Sequence, residues 1–141
     1  MNLQEVLLTK DNYTSYKKAI KSFTCKRLNS GERFLKDCKS LLRTESDDRI
    51  YLILNTDKND IVAFFSLKAF AVFFSSETDC QFSYPCIKIN WFLTNDKYAL
   101  TGDGLGSNMG SLIFQKYIYP TVKTIQHSIG VTYLIFNFVF R

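Results

Sequence analysis

CIKINWFLTNDKYALTGDGLGSNMGSLIF, from Cys86 to Phe114, is the stretch that decides the fold. It begins with the apolar run Cys86 to Leu93, which predicts a central strand covered on both faces. Four glycines follow at Gly102, Gly104, Gly106 and Gly110. The next segment predicts a helix that begins near Ser111. A strand that leads through a glycine turn into a helix directs backbone N–H groups outward beside the positive end of the helix dipole, and such a place binds phosphate.

The flanking residues predict the element order β, α, α, β, β, β, α, β, a mixed sheet with helices on its faces. The predicted strands are Leu3 to Leu8, Arg49 to Asn55, Ile61 to Ser66, Cys86 to Leu93 and Val131 to Phe140. Thr56 to Asp60 forms the turn of a hairpin, and the polar segment from Ser75 to Tyr84 reads as a loop.

Three helices complete the prediction. The first is capped by Thr9 or Asp11 and buries Tyr16, Ala19, Ile20 and Phe23. The second follows a turn at Gly31 and packs a stripe on the sheet, consisting of Phe34, Leu35, Cys38, Leu41 and Leu42. The third runs from Ser111 to Ser128, kinks at Pro120 and ends at Gly130.

The composition indicates one domain over residues 1–141, large enough to bury a core without a metal or a disulfide. Its four cysteines have neither CxxC nor Cys/His ligand spacing, so we expect no metal site and a reducing cytoplasm. No signal-peptide pattern and no apolar run of about 18 residues is present, so we expect a soluble protein with no membrane contact.

The formal net charge of +5 is concentrated in the N-terminal third. Met1 to Arg43 contains ten Lys or Arg residues and four acids. Phosphate contacts supply most non-specific affinity for a polyanion such as RNA, so this segment could guide one. A solvated helix face explains the same charge run, and both interpretations stay open.

The glycine turn resembles the cofactor motif of the GNAT N-acetyltransferase superfamily, which reads Arg or Gln, two residues, Gly, one residue, then Gly or Ala. Gly104-Leu105-Gly106 matches the two glycines, whereas Thr101 stands in the first position. In a second register, Met109-Gly110-Ser111 resembles the helix start of other members, with Asn108 at the earlier glycine position. Phe23-Thr24-Cys25 and Ile61 to Lys68 resemble the first helix and third strand of toxin-type GNAT proteins, so the likeness runs from about Phe23 to the C-terminus.

The resemblance implies a GNAT-like fold and acetyl-CoA as the cofactor. Its pantetheine arm would pair with main-chain groups of Phe92, Leu93 and Asn95. Its pyrophosphate would bind to Gly104, Leu105, Gly106, Ser107, Asn108, Met109, Gly110 and Ser111. The implied reaction transfers an acetyl group to a primary amine, with the α-amine of aminoacyl-tRNA and an antitoxin protein as the partners of toxin-type members. A non-catalytic CoA-binding or protein-binding module and a protein lysine acetyltransferase are the alternatives.

No catalytic residue is identified from the sequence. The predicted fourth strand offers Lys88, Asn90 and Trp91 but no acid, and His127 lies too late on the third helix to serve as a base. Tyr84 and Tyr98 flank that strand and are interpreted as packing residues.

The resemblance also implies that the sheet is truncated after its fifth strand, lacking the C-terminal helix and last two strands of a full domain. A fragment, a degenerate homologue and a shortened enzyme are the three interpretations. An uncovered edge carrying Phe136, Phe138 and Phe140 predicts a homo-oligomer that associates through the C-terminal strand.

Overall fold

The computed structural model describes residues 1–25, 36, 38–40, 42, 48–75, 81–98, 109–129 and 133–136. Five strands form one sheet in the order β1-β2-β3-β4-β5. Their bounds are Leu3–Leu8 (β1), Arg49–Asn55 (β2), Asp60–Ser75 (β3), Gln81–Thr94 (β4) and Tyr133–Phe136 (β5). Neighbouring strands run antiparallel except β4 and β5, which are parallel. The mixed sheet and the predicted element order are confirmed.

The first two strands have the predicted bounds, but β3 and β4 are longer than predicted. Their ladder continues from Ala63 opposite Thr94 as far as Ser75 opposite Gln81. The prediction that the whole segment from Ser75 to Tyr84 is a loop is therefore wrong for Gln81 to Tyr84. Pairing with β3 keeps these residues extended, and this pairing cannot be predicted from the local sequence pattern.

Helix α1 spans Tyr13–Lys21, and Asn12, the residue before it, makes no side-chain cap hydrogen bond. The Asn12 Oδ1 accepts the Thr9 N–H at 2.7 Å, and the Asn12 N–H donates to the Thr9 Oγ1 at 3.3 Å. The Thr9 carbonyl also accepts the Tyr13 N–H at 3.0 Å, so Thr9 caps the turn that leads into the helix, as one of the two sequence alternatives predicted. Lys36, Cys38 to Ser40 and Leu42 have helical backbone, as predicted for the second helix. The turn at Gly31 lies outside the described residues.

A continuous helical run follows the glycine segment. It consists of α2 (Met109–Ile113), a π-helical turn (Phe114–Ile118) and α3 (Tyr119–Ile129). The Tyr119 N–H donates to the Phe114 carbonyl, the i to i−5 bond that defines the wider turn. Pro120 has no N–H and its ring crowds the carbonyl of Lys116, so the distortion predicted at the proline appears as the π-helical turn before it. Gly130 lies outside the described residues.

The sheet is packed on both faces, giving three layers. The face toward α2 and α3 buries a cluster of Tyr51, Ile53, Val62, Ala63, Phe65, Leu67, Ile87, Ile89, Tyr98, Met109, Ile113, Ile118 and Val122. The face toward α1 buries Leu8, Ile20, Phe23, Cys38, Ile50, Leu52, Leu54, Ile61, Phe64 and Leu93. No helix in the described part of the chain combines the length and apolar character that a membrane crossing needs.

Glu5 is a half-buried carboxylate on β1, which is an edge strand of the described sheet, and its side chain meets α3. The Thr121 hydroxyl donates long hydrogen bonds to its two carboxylate oxygens, at 3.4 and 3.5 Å. Burial raises the pKa of Glu5, and the hydrogen bond from Thr121 opposes this effect only in part. The folded state therefore holds the Glu5 proton more tightly than the unfolded state does.

We expect Glu5→Gln to raise the melting temperature at pH 7, because the amide keeps the shape and removes the charge that burial disfavours. The gain should shrink as the pH falls below the ordinary value of 4.5, where wild-type Glu5 is protonated in both states. Thermal unfolding at pH 7 and pH 3 measures this, with the exposed Asp11→Asn as the control. An equal gain at both pH values would contradict the assignment.

Candidate functional site

The carboxyl-terminal half of β4 extends beyond its described pairing with β5. The parallel ladder joins Cys86 to Tyr133 at one end and Ile89 to Phe136 at the other. On its other edge, β4 stays paired with β3 as far as Thr94. β5 is described only as far as Phe136, and the segment predicted to meet the pantetheine arm begins three residues after Ile89, at Phe92.

A β-bulge in β4 directly follows Ile89. Leu67 and Ser66 on β3 pair with Ile89 and Trp91 on β4, so Asn90 is one residue in excess. The extra residue reverses which face each later side chain meets. Ile89 packs toward α2 and α3, and after the bulge Phe92 packs on that same face whereas Leu93 is buried on the α1 face.

Asn95 fixes the chain as it leaves β4. Its N–H donates to the Val62 carbonyl at 2.7 Å, and its Nδ2 donates to the Ile61 carbonyl at 2.9 Å. Its Oδ1 accepts the Thr24 hydroxyl at 3.1 Å and the Lys97 N–H at 3.1 Å. This buried side chain joins the start of β3, the residues after α1 and the turn after β4.

Three polar side chains around Asp60 hold the same turn from the other side. The Lys97 Nζ lies 2.6 Å from the Asp60 Oδ2, and the Tyr98 hydroxyl donates to the Asp60 Oδ1 at 2.5 Å. The Asn55 Nδ2 donates to the Tyr98 hydroxyl at 3.1 Å. Tyr98 is 5% exposed and belongs to the core, which agrees with its interpretation as a packing residue.

The electrostatics of this group favour its charged pair. Burial raises the pKa of Asp60, but hydrogen bonds from Lys97 and Tyr98 together outweigh burial and hold that pKa below its usual value. Burial, and after it the bond to Asp60, raise the pKa of Tyr98, so its hydroxyl stays a donor. We assign the group to anchoring, because each of its polar atoms is already engaged.

The other end of the candidate site is the first turn of α2. The Met109 side chain is buried in the same cluster as Ile89 and Tyr98, so the helix start is packed on the sheet beside the end of β4. Gly110 is half-buried and Ser111 is exposed. The start of a helix is a common site for anion binding, because the first four N–H groups of a helix have no acceptor within it. Gly104, Leu105, Gly106, Ser107 and Asn108 lie outside the described residues, and neither register of the glycine turn is tested.

One carboxylate near β4 escaped the sequence prediction. Asp48, directly before β2, accepts a hydrogen bond from the Asn90 Nδ2 at 2.8 Å. The bond reaches across β3, from a residue 42 positions away in the chain to the bulge. The sequence shows that Asp48 stands directly before the apolar strand β2. It does not show that β4 lies close enough to β2, with only β3 between them, for Asn90 to contact Asp48.

The remaining candidate residues lie apart from this site. His127 is exposed in the last turn of α3, as expected. Tyr84 is 39% exposed, so its side chain is packed only in part. Within the described residues no group of three His, Cys, Asp or Glu side chains could hold a metal ion.

No protein-family model matches the sequence, and no curated protein matches it. Several solved structures do match this chain. A GNAT family acetyltransferase from Staphylococcus aureus matches with a TM-score of 0.59 at 11% identity, over 100% of this chain and 90% of that one. The chain has the GNAT acetyltransferase fold.

Two further structures show how widely this fold is used. A mutant AtaT toxin bound to acetyl-CoA and the C-terminus of the antitoxin AtaR matches with a TM-score of 0.65 at 14% identity, over 100% of this chain and 78% of that one. Glucosamine-6-phosphate N-acetyltransferase from Arabidopsis thaliana matches with a TM-score of 0.54 at 14% identity, over 99% and 84% of the two chains. At these identities the likeness establishes the fold.

We expect Asp60→Asn to lower the free energy of unfolding at pH 7, because the amide keeps the shape of the carboxylate but removes the charge that accepts hydrogen bonds from Lys97 and Tyr98. A carboxyl whose pKa is lower in the folded state than in the unfolded state stabilises the fold at any pH above the unfolded-state pKa. This stabilisation is lost as the pH falls through the folded-state pKa. The deficit should therefore narrow below about pH 3.8.

Denaturant unfolding at pH 7 and at pH 2.5 measures this deficit. Asp96→Asn is the matched control, since the Asp96 side chain makes no hydrogen bond within the described part of the chain. A deficit of the same size at both pH values would show that the Asp60 charge is not what stabilises the turn.

Proposed function

We propose that residues 1–141 form a single acetyl-CoA-dependent N-acetyltransferase domain. The observation that carries the proposal is the packing of the α2 start beside the end of β4, in a fold shared with a structure that contains acetyl-CoA. A pyrophosphate is attracted to the positive end of a helix dipole, and the strand beside it offers main-chain groups to an extended ligand.

The cofactor placement follows the sequence prediction. Main-chain groups of Phe92 and Leu93 pair with the pantetheine arm, and the segment from Gly104 to Ser111 binds the pyrophosphate. The described part of that segment fits this role, because Gly110 has no Cβ to obstruct a phosphate and Ser111 is exposed. The bulge at Asn90 precedes this stretch of β4 and interrupts its regular pattern of main-chain groups.

The reaction joins the amine nitrogen to the acetyl carbon and breaks the carbon–sulfur bond. The neutral amine attacks the thioester, its proton leaves to a base or to water, and the departing thiolate takes up a proton. Holding the two reactants in line supplies much of the rate acceleration. Asp48 and Asn90 are the polar pair at the bulge, and their position suits orientation of an incoming amine.

We assign the acceptor to the α-amine of an aminoacyl-tRNA and place the protein in the cytoplasm, with an antitoxin as a protein partner. The mutant AtaT toxin supports the choice, since it is solved with an antitoxin segment. The exposed Lys10, Lys18 and Lys21 around α1 support a polyanionic substrate. Cys25 and Cys86 are free thiols, as a reducing compartment would keep them.

Calorimetric titration with acetyl-CoA tests the cofactor site. Gly110→Glu should weaken binding at least about tenfold, because the new carboxylate would repel the pyrophosphate. The same change should not harm folding, since glutamate is favourable in the first turn of a helix and glycine is not. Gln126→Glu, near the other end of the helical run, is the matched control. Equal affinity in all three proteins would remove the proposed site.

Turnover separates an enzyme from a binding module. Wild-type protein with acetyl-CoA and charged tRNA should release CoA and acetylate the α-amine, detected by mass spectrometry of the released aminoacyl group. Acetyl-CoA binding without release of CoA in the presence of charged tRNA or a lysine peptide would identify a non-catalytic module. Acetylation of the peptide alone would identify a protein lysine acetyltransferase.

Self-association through the C-terminal strand is the remaining part of the proposal. β5 is the last strand in the described sheet order, which supports the proposal. Phe138 and Phe140 lie outside the described residues. We expect a dimer in sedimentation velocity at micromolar concentration, and a clean monomer across that range would contradict it.

A further inference from the structure

Two lysines lie directly opposite each other in the middle of the sheet. Lys68 on β3 pairs with Lys88 on β4, and both side chains are half-exposed on the α1 face. Like charges at directly opposed positions destabilise a strand pair. Within the described residues neither lysine forms an ion pair. This repulsion would be relieved by an anion bound between them.

Two aromatic side chains continue the same face toward the hairpin end. Phe70, two residues after Lys68, is 43% exposed. Tyr84 lies two residues before Cys86, the cross-strand partner of Phe70, and is 39% exposed. Lys88 forms a cation–π contact with one of these rings, because its Nζ lies 5.3 Å from the centre of the Phe70 ring. Large aromatic rings left open to water beside cations offer both a stacking surface and a positive charge.

Acidic side chains are scarce on this part of the sheet. After Asp60, neither β3 nor β4 contains an aspartate or a glutamate. Asp48 approaches the same face, but its carboxylate accepts the hydrogen bond from Asn90 and forms no ion pair with Lys68 or Lys88 in the described part of the chain. Within β3 and β4 themselves, the charged side chains on this face are therefore positive.

We infer that Lys68, Phe70, Tyr84 and Lys88, here called the hairpin surface, bind an unpaired segment of RNA. The two lysines bind a phosphate that relieves their mutual repulsion, and bases stack on the Phe70 and Tyr84 rings. An unpaired strand is required because the bases of a duplex are already stacked on each other and do not present their faces. The inference rests on the proposed choice of a tRNA acceptor, whose reactive end must be held on the protein.

The position of the surface suits that role. Lys88 lies two residues before Asn90, so the hairpin surface adjoins the bulge that precedes the proposed pantetheine segment at Phe92 and Leu93. Positive charge on α1 lies on the same side of the sheet, since α1 packs on the face from which Lys68 and Lys88 project. An RNA strand could therefore contact α1 and the hairpin surface without crossing to the other face.

Fluorescence anisotropy with a labelled single-stranded oligoribonucleotide tests the inference. Lys68→Glu should weaken binding, and the slope of log affinity against log salt should fall by about 0.7 for each phosphate that the protein no longer neutralises. Phe70→Ala should weaken binding by roughly 5- to 150-fold, the range for one stacked base. Lys123→Glu, an exposed lysine on α3 at the opposite face, is the matched control and should leave affinity unchanged.

Lys68→Glu also guards against a folding artefact. It converts a repulsive cross-strand pair into an attractive one with Lys88, so its melting temperature should equal or exceed that of the wild type. Loss of binding in a protein that is at least as stable cannot be ascribed to unfolding.

The outcomes separate this inference from the proposed function. Wild-type protein that binds no oligoribonucleotide, or variants that bind as tightly as Lys123→Glu, would overturn the hairpin surface. Either result leaves the acetyl-CoA titration unaffected. Equal affinity for duplex and single-stranded RNA would also overturn it, because stacking would then play no part. Weaker self-association of Phe70→Ala in sedimentation, with RNA binding unchanged, would assign the surface to a second copy of the chain.

Discussion

The irregular pairing of β3 with its two neighbours is the constraint on which the rest of this structure depends. Asn90 is the extra residue on β4, and Val62 is the extra residue on β3 where it pairs with β2. Each bulge changes which face the following side chains meet. Neighbouring side chains of a regular strand face opposite ways, but Val62 and Ala63 both pack on the face toward α2 and α3. Ile89 and Phe92, three positions apart, also pack on that one face.

The two bulges are linked through the chain that leaves β4. The Val62 carbonyl accepts the Asn95 N–H, so the bulge in β3 fixes the point at which β4 ends. Asp60, two residues before that bulge, holds Lys97 and Tyr98 in the same turn. The start of the glycine segment is therefore set by Asn95, Lys97 and Tyr98, each bonded to the first residues of β3. In the proposed phosphate-binding role of the glycine segment, a fixed entry point would reduce the conformational entropy lost on binding the ligand.

The sequence predicted the parts of this arrangement that depend on local pattern. The bounds of β1 and β2 were predicted correctly, because apolar residues and the turn at Thr56 mark their ends. The helix after the glycine turn was predicted within two residues at its start. The extension of β3 and β4 was missed, since Gln81 to Tyr84 is held by cross-strand partners and carries no strand pattern of its own. The contacts of Asp48 with Asn90 and of Asp60 with Tyr98 were missed because they join residues 42 and 38 positions apart.

Two charged features break ordinary packing rules, and their positions explain them differently. Glu5 faces α3 from β1, an edge strand, where an inward-pointing charge discourages pairing with another sheet. That explanation cannot apply to Lys68 and Lys88, because β3 and β4 lie inside the sheet and already have partners on both sides. Repulsion between paired interior strands protects no edge and weakens the hairpin. The proposed ligand, which carries negative charge and stacks, would relieve this repulsion beside the two exposed aromatic rings.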